Sequence, residues 1–212
     1  MGRQAFIESY LSVGRSLLAP EISLYLANEL TPLWLATEAF LDQHNMAPPY
    51  WAFAWPGSEA LACFISLNPE FVQGKRVLDF AAGCGLAGIA AAKAGAAAVE
   101  AAEIDPLAAQ AISMNAKLND VTITVVQEDV IGQVGEWDII LTGDVCYEQE
   151  MSARVMAWLR AQASCSIVLM ADPGRRYKPH EPGCKKAEYN VPTSLELEDS
   201  SSRLVTIYEI LA

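Results

Sequence analysis

Positive charge is scarce in this chain. Fourteen Lys and Arg stand against 26 Asp and Glu in 212 residues, a formal net charge of −12. That balance argues against a nucleic-acid partner, because phosphate contacts need clustered Lys and Arg. It fits a small-molecule ligand or a basic protein segment, although an acidic surface also serves solubility alone. Histidine occurs only twice. His44 falls in a polar stretch and reads as a solvated loop residue, and neither histidine sits in a catalytic motif. Five cysteines are present. Cys63, Cys84, Cys146, Cys165 and Cys184 form no C-x-x-C pair and leave one over. A disulfide framework and a zinc site are both disfavoured, and a cytoplasmic setting is expected. The longest uncharged apolar run, Phe80 to Ala92, is too short for a bilayer, and no basic-then-apolar leader opens the sequence. No membrane partner is expected.

What is present is a globular composition: 52% hydrophobic and 19% charged residues, enough for one domain with a sizeable core. Residues 5 to 18 and 32 to 42 read as helices. In the second, Thr31 suits the N-cap, Pro32 the first helical position, and Leu33, Trp34, Ala36, Phe40 and Leu41 one apolar face. Tyr50, Trp51, Phe53 and Trp55 then crowd six residues with aromatics. Such density usually means core, but Trp55 stands beside the breakers Pro56 and Gly57, where rings line pockets. Ser58 can cap a helix running to about Asn68.

The organising stretch is Arg76 to Asp105. A strand, Arg76 to Phe80, carries Asp79 near its end. A small-residue turn, Ala81 to Gly85, and an alanine-rich helix, Leu86 to Lys93, follow. A second strand runs from Ala98 to Glu103. Strand, glycine turn, helix, strand and acid make one nucleotide-binding unit. Pro106 then opens a helix carrying Leu107, Ala111, Met114 and Leu118. Ile123 to Gln127, Trp137 to Thr142 and Ser166 to Ala171 are further strands, and Glu148 to Arg160 is a helix between the last two. The alternation predicts a doubly wound α/β fold with right-handed crossovers. The tail breaks it. Glu188 to Val191 and Leu204 to Leu211 read as an antiparallel hairpin at the sheet edge.

Gly83, Gly85 and Gly88 match the dinucleotide fingerprint literally, and Glu103 lies at the spacing of a ribose-binding acid. An NAD-dependent oxidoreductase is therefore one reading. Against it stand the Asp79 carboxylate beside the turn, which disfavours a pyrophosphate, the lack of a proton-relay set, and the hairpin in place of a second nucleotide-binding half. S-adenosylmethionine fits better. It has a ribose and an adenine but no phosphate, and it carries an ammonium. A glycine turn admits its close approach. Glu103 can accept both ribose hydroxyls, and Asp129, at the end of the third strand, can accept from the adenine amino group.

The segment VLDFAAGCG resembles the first motif of the seven-β-strand, class I methyltransferases, with Ala81 where that pattern has its first glycine. The resemblance narrows further along the chain. AWPGSEAL, EIDPLAAQAISMNAKLN, GDVCYE, ADPGR and VPTSLELED occur in order, as in the lysine methyltransferases of the electron transfer flavoprotein β subunit. The likeness covers roughly residues 47 to 212. It implies a Rossmann-like seven-stranded sheet, with five parallel strands, a C-terminal antiparallel hairpin and helices on both faces. Residues 1 to 212 would form a single methyltransferase domain, residues 1 to 57 being a helical extension that covers the cofactor. The cofactor implied is S-adenosyl-L-methionine, with S-adenosyl-L-homocysteine as product. The partner implied is the flavoprotein β subunit, with a ribosomal protein or a small molecule as alternative substrates and a monomeric enzyme expected. By the same resemblance Trp55, Gly83, Glu103, Asp129 and Gly143 contact the cofactor, joined by Asp79, Gly85 and Ile104 around the turn. Asp144 and Tyr147, an acid-x-x-aromatic signature, face the target lysine.

The chemistry of Asp144 is compatible with that. The attacking amine must be neutral, although free lysine titrates near about 10.4. A carboxylate opposes deprotonation but attracts and aims the side chain, so Asp144 is assigned to binding and orientation. Tyr147 can offer an oxygen or a π face to the cation. Other roles stay open: Asp144 as the cap of the following helix, Tyr147 as core, Asp79 as a brace of the turn, and Asp172 to Arg175 as a plain turn or as the rim of the site. Cys84 and Cys146 read as small core residues.

Overall fold

A computed structural model describes residues 2–28, 31, 33, 48–195 and 197–212. The helix expected over residues 32 to 42, and His44 after it, lie outside the described residues. The chain opens with helix α1 (Arg3–Tyr10), followed by the antiparallel strands β1 (Ser12–Arg15) and β2 (Ser23–Leu26). Helix α2 (Pro56–Leu67) leads into strand β3 (Arg76–Phe80), helix α3 (Leu86–Lys93), strand β4 (Ala98–Ala102), helix α4 (Pro106–Leu118) and strand β5 (Thr124–Val126). Strand β6 (Ile139–Gly143), helix α5 (Gln149–Gln162) and strand β7 (Ile167–Asp172) complete the alternating part. Strands β8 (Cys184–Pro192) and β9 (Ser202–Glu209) form the tail.

The expected helix over residues 5 to 18 is thus corrected: it stops at Tyr10. The cause lies far away in sequence. Glu59 on α2 is buried, and its carboxylate accepts from the Ser16 hydroxyl (2.5 Å), the Leu17 N–H (3.0 Å) and the Leu18 N–H (3.0 Å). Backbone donors committed to a distant carboxylate cannot serve a helix ladder. Helix α2 also begins three residues earlier than a Ser58 cap suggests, with Pro56 in its first turn after the Trp55 N-cap, a position where the missing N–H costs nothing.

The main sheet has the order β5-β4-β3-β6-β7-β9-β8. Strands β3 to β7 are mutually parallel, and β9 inserts antiparallel between β7 and β8. This is the seven-stranded arrangement expected from the tail hairpin. Apolar residues from α2 and α3 pack with Val77, Ile139, Leu141, Leu169 and Ala171 on one face. Helix α5 supplies Val155, Trp158 and Leu159 to Leu78, Phe80, Ile140, Val168 and Met170 on the other. Strands covered on both sides account for near-continuous apolar runs such as Ile139 to Leu141. The reversal of strand order between β3 and β6 opens a crevice at the carboxyl ends of the strands, where open α/β sheets take ligands.

Asn115 of α4 and Asn119, its C-cap, tie the N-terminal hairpin to this scaffold. Asn119 accepts from the Ser23 N–H (3.0 Å) and donates to the Ser23 carbonyl (2.6 Å). Asn115 accepts from the Tyr25 N–H (2.7 Å) and donates to the Cys84 carbonyl in the glycine turn (2.9 Å). Among the described residues, no helix is long and apolar enough to cross a membrane.

Candidate active site

A cavity of about 580 Å³ occupies the crevice, within the usual size of a small-molecule site. Trp55, Gly83, Glu103, Ile104, Asp129, Gly143, Asp144 and Tyr147 all line it. Asp79 and Gly85 do not. Both belong to the support of the turn. The buried Asp79 carboxylate accepts from the Gly88 N–H at 2.8 Å, and burial pushes it up to about 7. A Cβ on Gly88 would lie 3.0 Å from Asp79 Oδ2, a tight contact that would press on the brace. Gly85 has φ +80°, and a Cβ on it would press on Ile112 at 3.1 Å.

The first end of the cavity is organised by Glu103, just past β4. Its Oε2 accepts from the Gly83 N–H (3.0 Å), and its Oε1 from the N–H groups of Ile104 (2.8 Å) and Asp105 (3.2 Å). Burial raises its pKa while these backbone donors pull it down. The carboxylate is therefore fixed by main-chain donors and, with one donor on Oε2 against two on Oε1, keeps acceptor capacity on Oε2. Ala102, Ile104, Val130, Ile131, Met151 and Val155 give this end apolar walls suited to a flat ring. Asp129, past β5, accepts from the Ile131 N–H (3.0 Å), which holds its pKa low, and pairs with Arg154.

The second end gathers around Asp144, past β6. Asp144 has φ +55°, a left-handed conformation uncommon for a residue with a side chain. The conformation is enforced from both directions. Its N–H donates to the Ala171 carbonyl (3.2 Å), and its Oδ2 accepts from the Gly57 N–H (2.5 Å). Gly143 lets α2 approach this closely: a Cβ on Gly143 would lie 3.0 Å from the Gly57 carbonyl carbon. Asp144 does not cap the next helix, whose N-cap is Glu148. Burial pushes the Asp144 carboxyl up to about 6, against the opposing pull of Arg175 and the Gly57 N–H.

Arg175 belongs to the segment that the sequence leaves open between a plain turn and the rim of the site. The segment ADPGR is indeed a turn: Asp172 Oδ1 accepts from the N–H groups of Gly174 (2.7 Å) and Arg175 (2.8 Å). That turn also aims Arg175 at the site. Its Nε donates to Asp144 Oδ1 at 2.8 Å, and its Nη2 donates to Glu198 Oε1 at 2.6 Å. Glu198, from the β8–β9 connection, is buried and also receives Arg203. Gly57, Arg175 and Glu198 thus complete the environment of Asp144, and the sequence shows only the segments that hold them.

Aromatic side chains frame the mouth. Tyr147 is 52% exposed, with its ring 5.9 Å from that of Tyr50. Trp55 stands 6.1 Å from Tyr50 and 6.0 Å from Phe53, its indole N–H donating to the Tyr50 carbonyl at 2.6 Å. Of the four clustered aromatics, Trp51 is the core residue, at 4% exposure.

Sheet order and cavity together define a class I, Rossmann-like methyltransferase fold. Solved structures share it: the magnesium protoporphyrin IX methyltransferase of Synechocystis with bound SAH (TM-score 0.54, 15% identity, 73% of this chain and 81% of that one) and a T. thermophilus 16S rRNA N2 methyltransferase with AdoMet and guanosine (TM-score 0.56, 20% identity, 94% and 50%). The family model of the ribosomal protein L11 methyltransferase (PrmA) matches residues 60–143. Three proteins bearing the name electron transfer flavoprotein beta subunit lysine methyltransferase match more of the chain. The Danio rerio protein is 40% identical over 74% of this chain and 62% of its own length. The Xenopus laevis protein is 38% identical over 81% and 70%, and the Homo sapiens protein 33% over 97% and 80%. The chain belongs to the electron transfer flavoprotein β subunit lysine methyltransferase family.

Proposed function

We propose that the chain is an S-adenosylmethionine-dependent protein-lysine N-methyltransferase whose substrate is the β subunit of electron transfer flavoprotein. The carrying observation is one cavity with two unlike ends: a main-chain-anchored acceptor, Glu103, at one, and an acid framed by aromatics, Asp144 with Tyr147 and Trp55, at the other. Family membership supports the substrate.

The first end fits the cofactor. The free acceptor capacity of Glu103 suits ribose hydroxyls, the apolar walls suit adenine, and Asp129 at the rim suits its amino group. The turn at Gly83 allows the main chain to come close. Asp79 serves as the brace of that turn. When bound, S-adenosylmethionine supplies a methyl group on a sulfonium, for in-line transfer to a nitrogen lone pair. The protein's own work is positional. Asp144 is locked by Gly57 and the Ala171 carbonyl, so an amine that it orients is held in one direction. Tyr147, Tyr50 and Trp55 exclude water around the lysine stem and present π faces to its cationic form.

The test is incubation with labelled methyl donor and purified flavoprotein. Label is expected on lysine of the β subunit. Asp144→Ala should lose about 10²-fold or more of that activity while keeping its affinity for S-adenosylhomocysteine. A second substrate reading comes from the match to the ribosomal protein L11 methyltransferase model. Label on L11 with none on the flavoprotein would establish that reading in place of ours.

A further inference from the structure

Arg175 lies on the cavity wall with its side chain 18% exposed. Its guanidinium is shared between Asp144 Oδ1 (2.5 Å from Nη2) and Glu198 Oε1 (2.6 Å), and its Cζ stands 5.6 Å from the centroid of the Trp55 ring. A permanent cation therefore already occupies the acid-and-aromatic corner to which a lysine ammonium would be drawn. An unpaired carboxylate within reach of the amine would raise the amine's pKa by about 1–3 and so oppose methyl transfer. An Asp144 whose charge is already answered has no such effect.

We infer that Arg175 sets the protonation state of the incoming lysine, acting as the fixed counter-ion that lets Asp144 aim the amine without stabilising its ammonium form. This rests on the lysine-methyltransferase reading above. The charges around the corner support it. Glu198, which faces Arg175 from the β8–β9 connection, is itself shared with Arg203 (3.0 Å), and Arg203 also pairs with the exposed Asp199. Asp144 and Glu198 are thus matched by Arg175 and Arg203 before any substrate enters. From β7, Asp172 lies behind the corner, and burial raises its carboxyl toward the neutral form. Lys178, against the Tyr208 ring, and the Cys146 thiol, pushed up to about 11 by burial, stand on that same side. Tyr147 brings the nearby charges of Glu103 and Glu148. From α2 comes the Gly57 N–H. Because Asp144 already contacts Arg175, an added ammonium competes with a fixed guanidinium for that carboxylate and is pushed by Arg175 to release its proton to solvent. Arg175, always charged, takes no part in the transfer.

The experiment is the pH profile of kcat/KM for methylation of the flavoprotein β subunit, with melting temperature and S-adenosylhomocysteine affinity as controls. In Arg175→Gln the acidic limb should move up by about 1–3 pH units, so a tenfold or larger deficit near neutral pH shrinks as pH rises. Arg175→Lys should leave the limb in place. Asp144→Asn, which leaves Arg175 with Glu198 as its remaining counter-charge, should move the limb of its residual activity downward, and Asp144→Asn with Arg175→Gln should return it toward wild type. A uniform loss across pH in Arg175→Gln overturns the inference. If that variant does not fold, an unmoved or raised limb in Asp144→Asn overturns it. Wild-type protein that methylates no lysine defeats the underlying reading instead, whatever the variants do.

Discussion

The two ends of the cavity are built in opposite ways. The glycine turn and the key carboxylate of the end assigned to the methyl donor come from one contiguous stretch, β3 through Glu103, and that carboxylate is fixed by three main-chain N–H groups. The end assigned to the lysine comes from four segments, at Gly57, Asp144, Arg175 and Glu198, and is fixed mainly by charged side chains. The ribosomal protein L11 methyltransferase match stops at Gly143, one residue short of Asp144. A donor site made of backbone and small residues tolerates much change around it. A site made of interlocked charges does not, because removing one member leaves its buried partner unpaired.

The comparison breaks most visibly at Gly57. A Cβ there would overlap Asp144 Oδ2 and lie 2.9 Å from the Asp144 nitrogen and 3.0 Å from the Ala171 carbonyl. Gly57→Ala should cost about 10²-fold in methyl transfer, the scale of a misplacement of about 1 Å, while calorimetry finds the donor affinity nearly intact. The converse variant is Glu103→Ala. It removes an ionised acceptor worth about 1.5–3 kcal/mol, so S-adenosylhomocysteine should bind roughly tenfold to a hundredfold more weakly, with turnover at saturating donor much less affected. Unchanged affinity would remove Glu103 from the donor site.

The remaining effect is on stability. Folding moves the Asp79 carboxyl from 3.8 to about 7. Below pH 3.8 it is protonated in both states. Between there and about pH 7 the folded chain keeps a proton that the unfolded chain has lost, so stability falls as pH rises through that window. Asp79→Asn cannot titrate and keeps an acceptor for the Gly88 N–H. Wild type should therefore lose a few kcal/mol relative to the variant between about pH 4 and 7, on the order of 1.4 kcal/mol for each pH unit crossed. Parallel melting curves across that range would show that Asp79 is not held this way.

The same contrast decides what the sequence could tell. The parallel sheet was legible from alternating strands and helices, and the tail hairpin from two strands with no helix between them. The turn and acid of the donor end were legible because they are neighbours: Glu103 and Gly83 are 20 residues apart and bond directly. At the Asp144 end the sequence singles out Asp144, Tyr147, Gly143 and Trp55 and leaves Arg175 open between turn and rim. Its other parts stand 87, 31 and 23 residues from their partners, and only the insertion of β9 between β7 and β8 brings Glu198 to Arg175. The helix wrongly extended past Tyr10 has a similar cause. Local periodicity carried no trace of Glu59 waiting on α2.

Asn115 touches both the N-terminal hairpin and the glycine turn, through Tyr25 and the Cys84 carbonyl. For anyone trimming this protein, that sets a limit. A version starting just before the clustered aromatics would keep every residue lining the cavity, yet it would strand Glu59, Asn115 and Asn119 with buried polar groups facing a missing partner. The first 26 residues are better regarded as part of the turn's foundation than as a detachable preface to it.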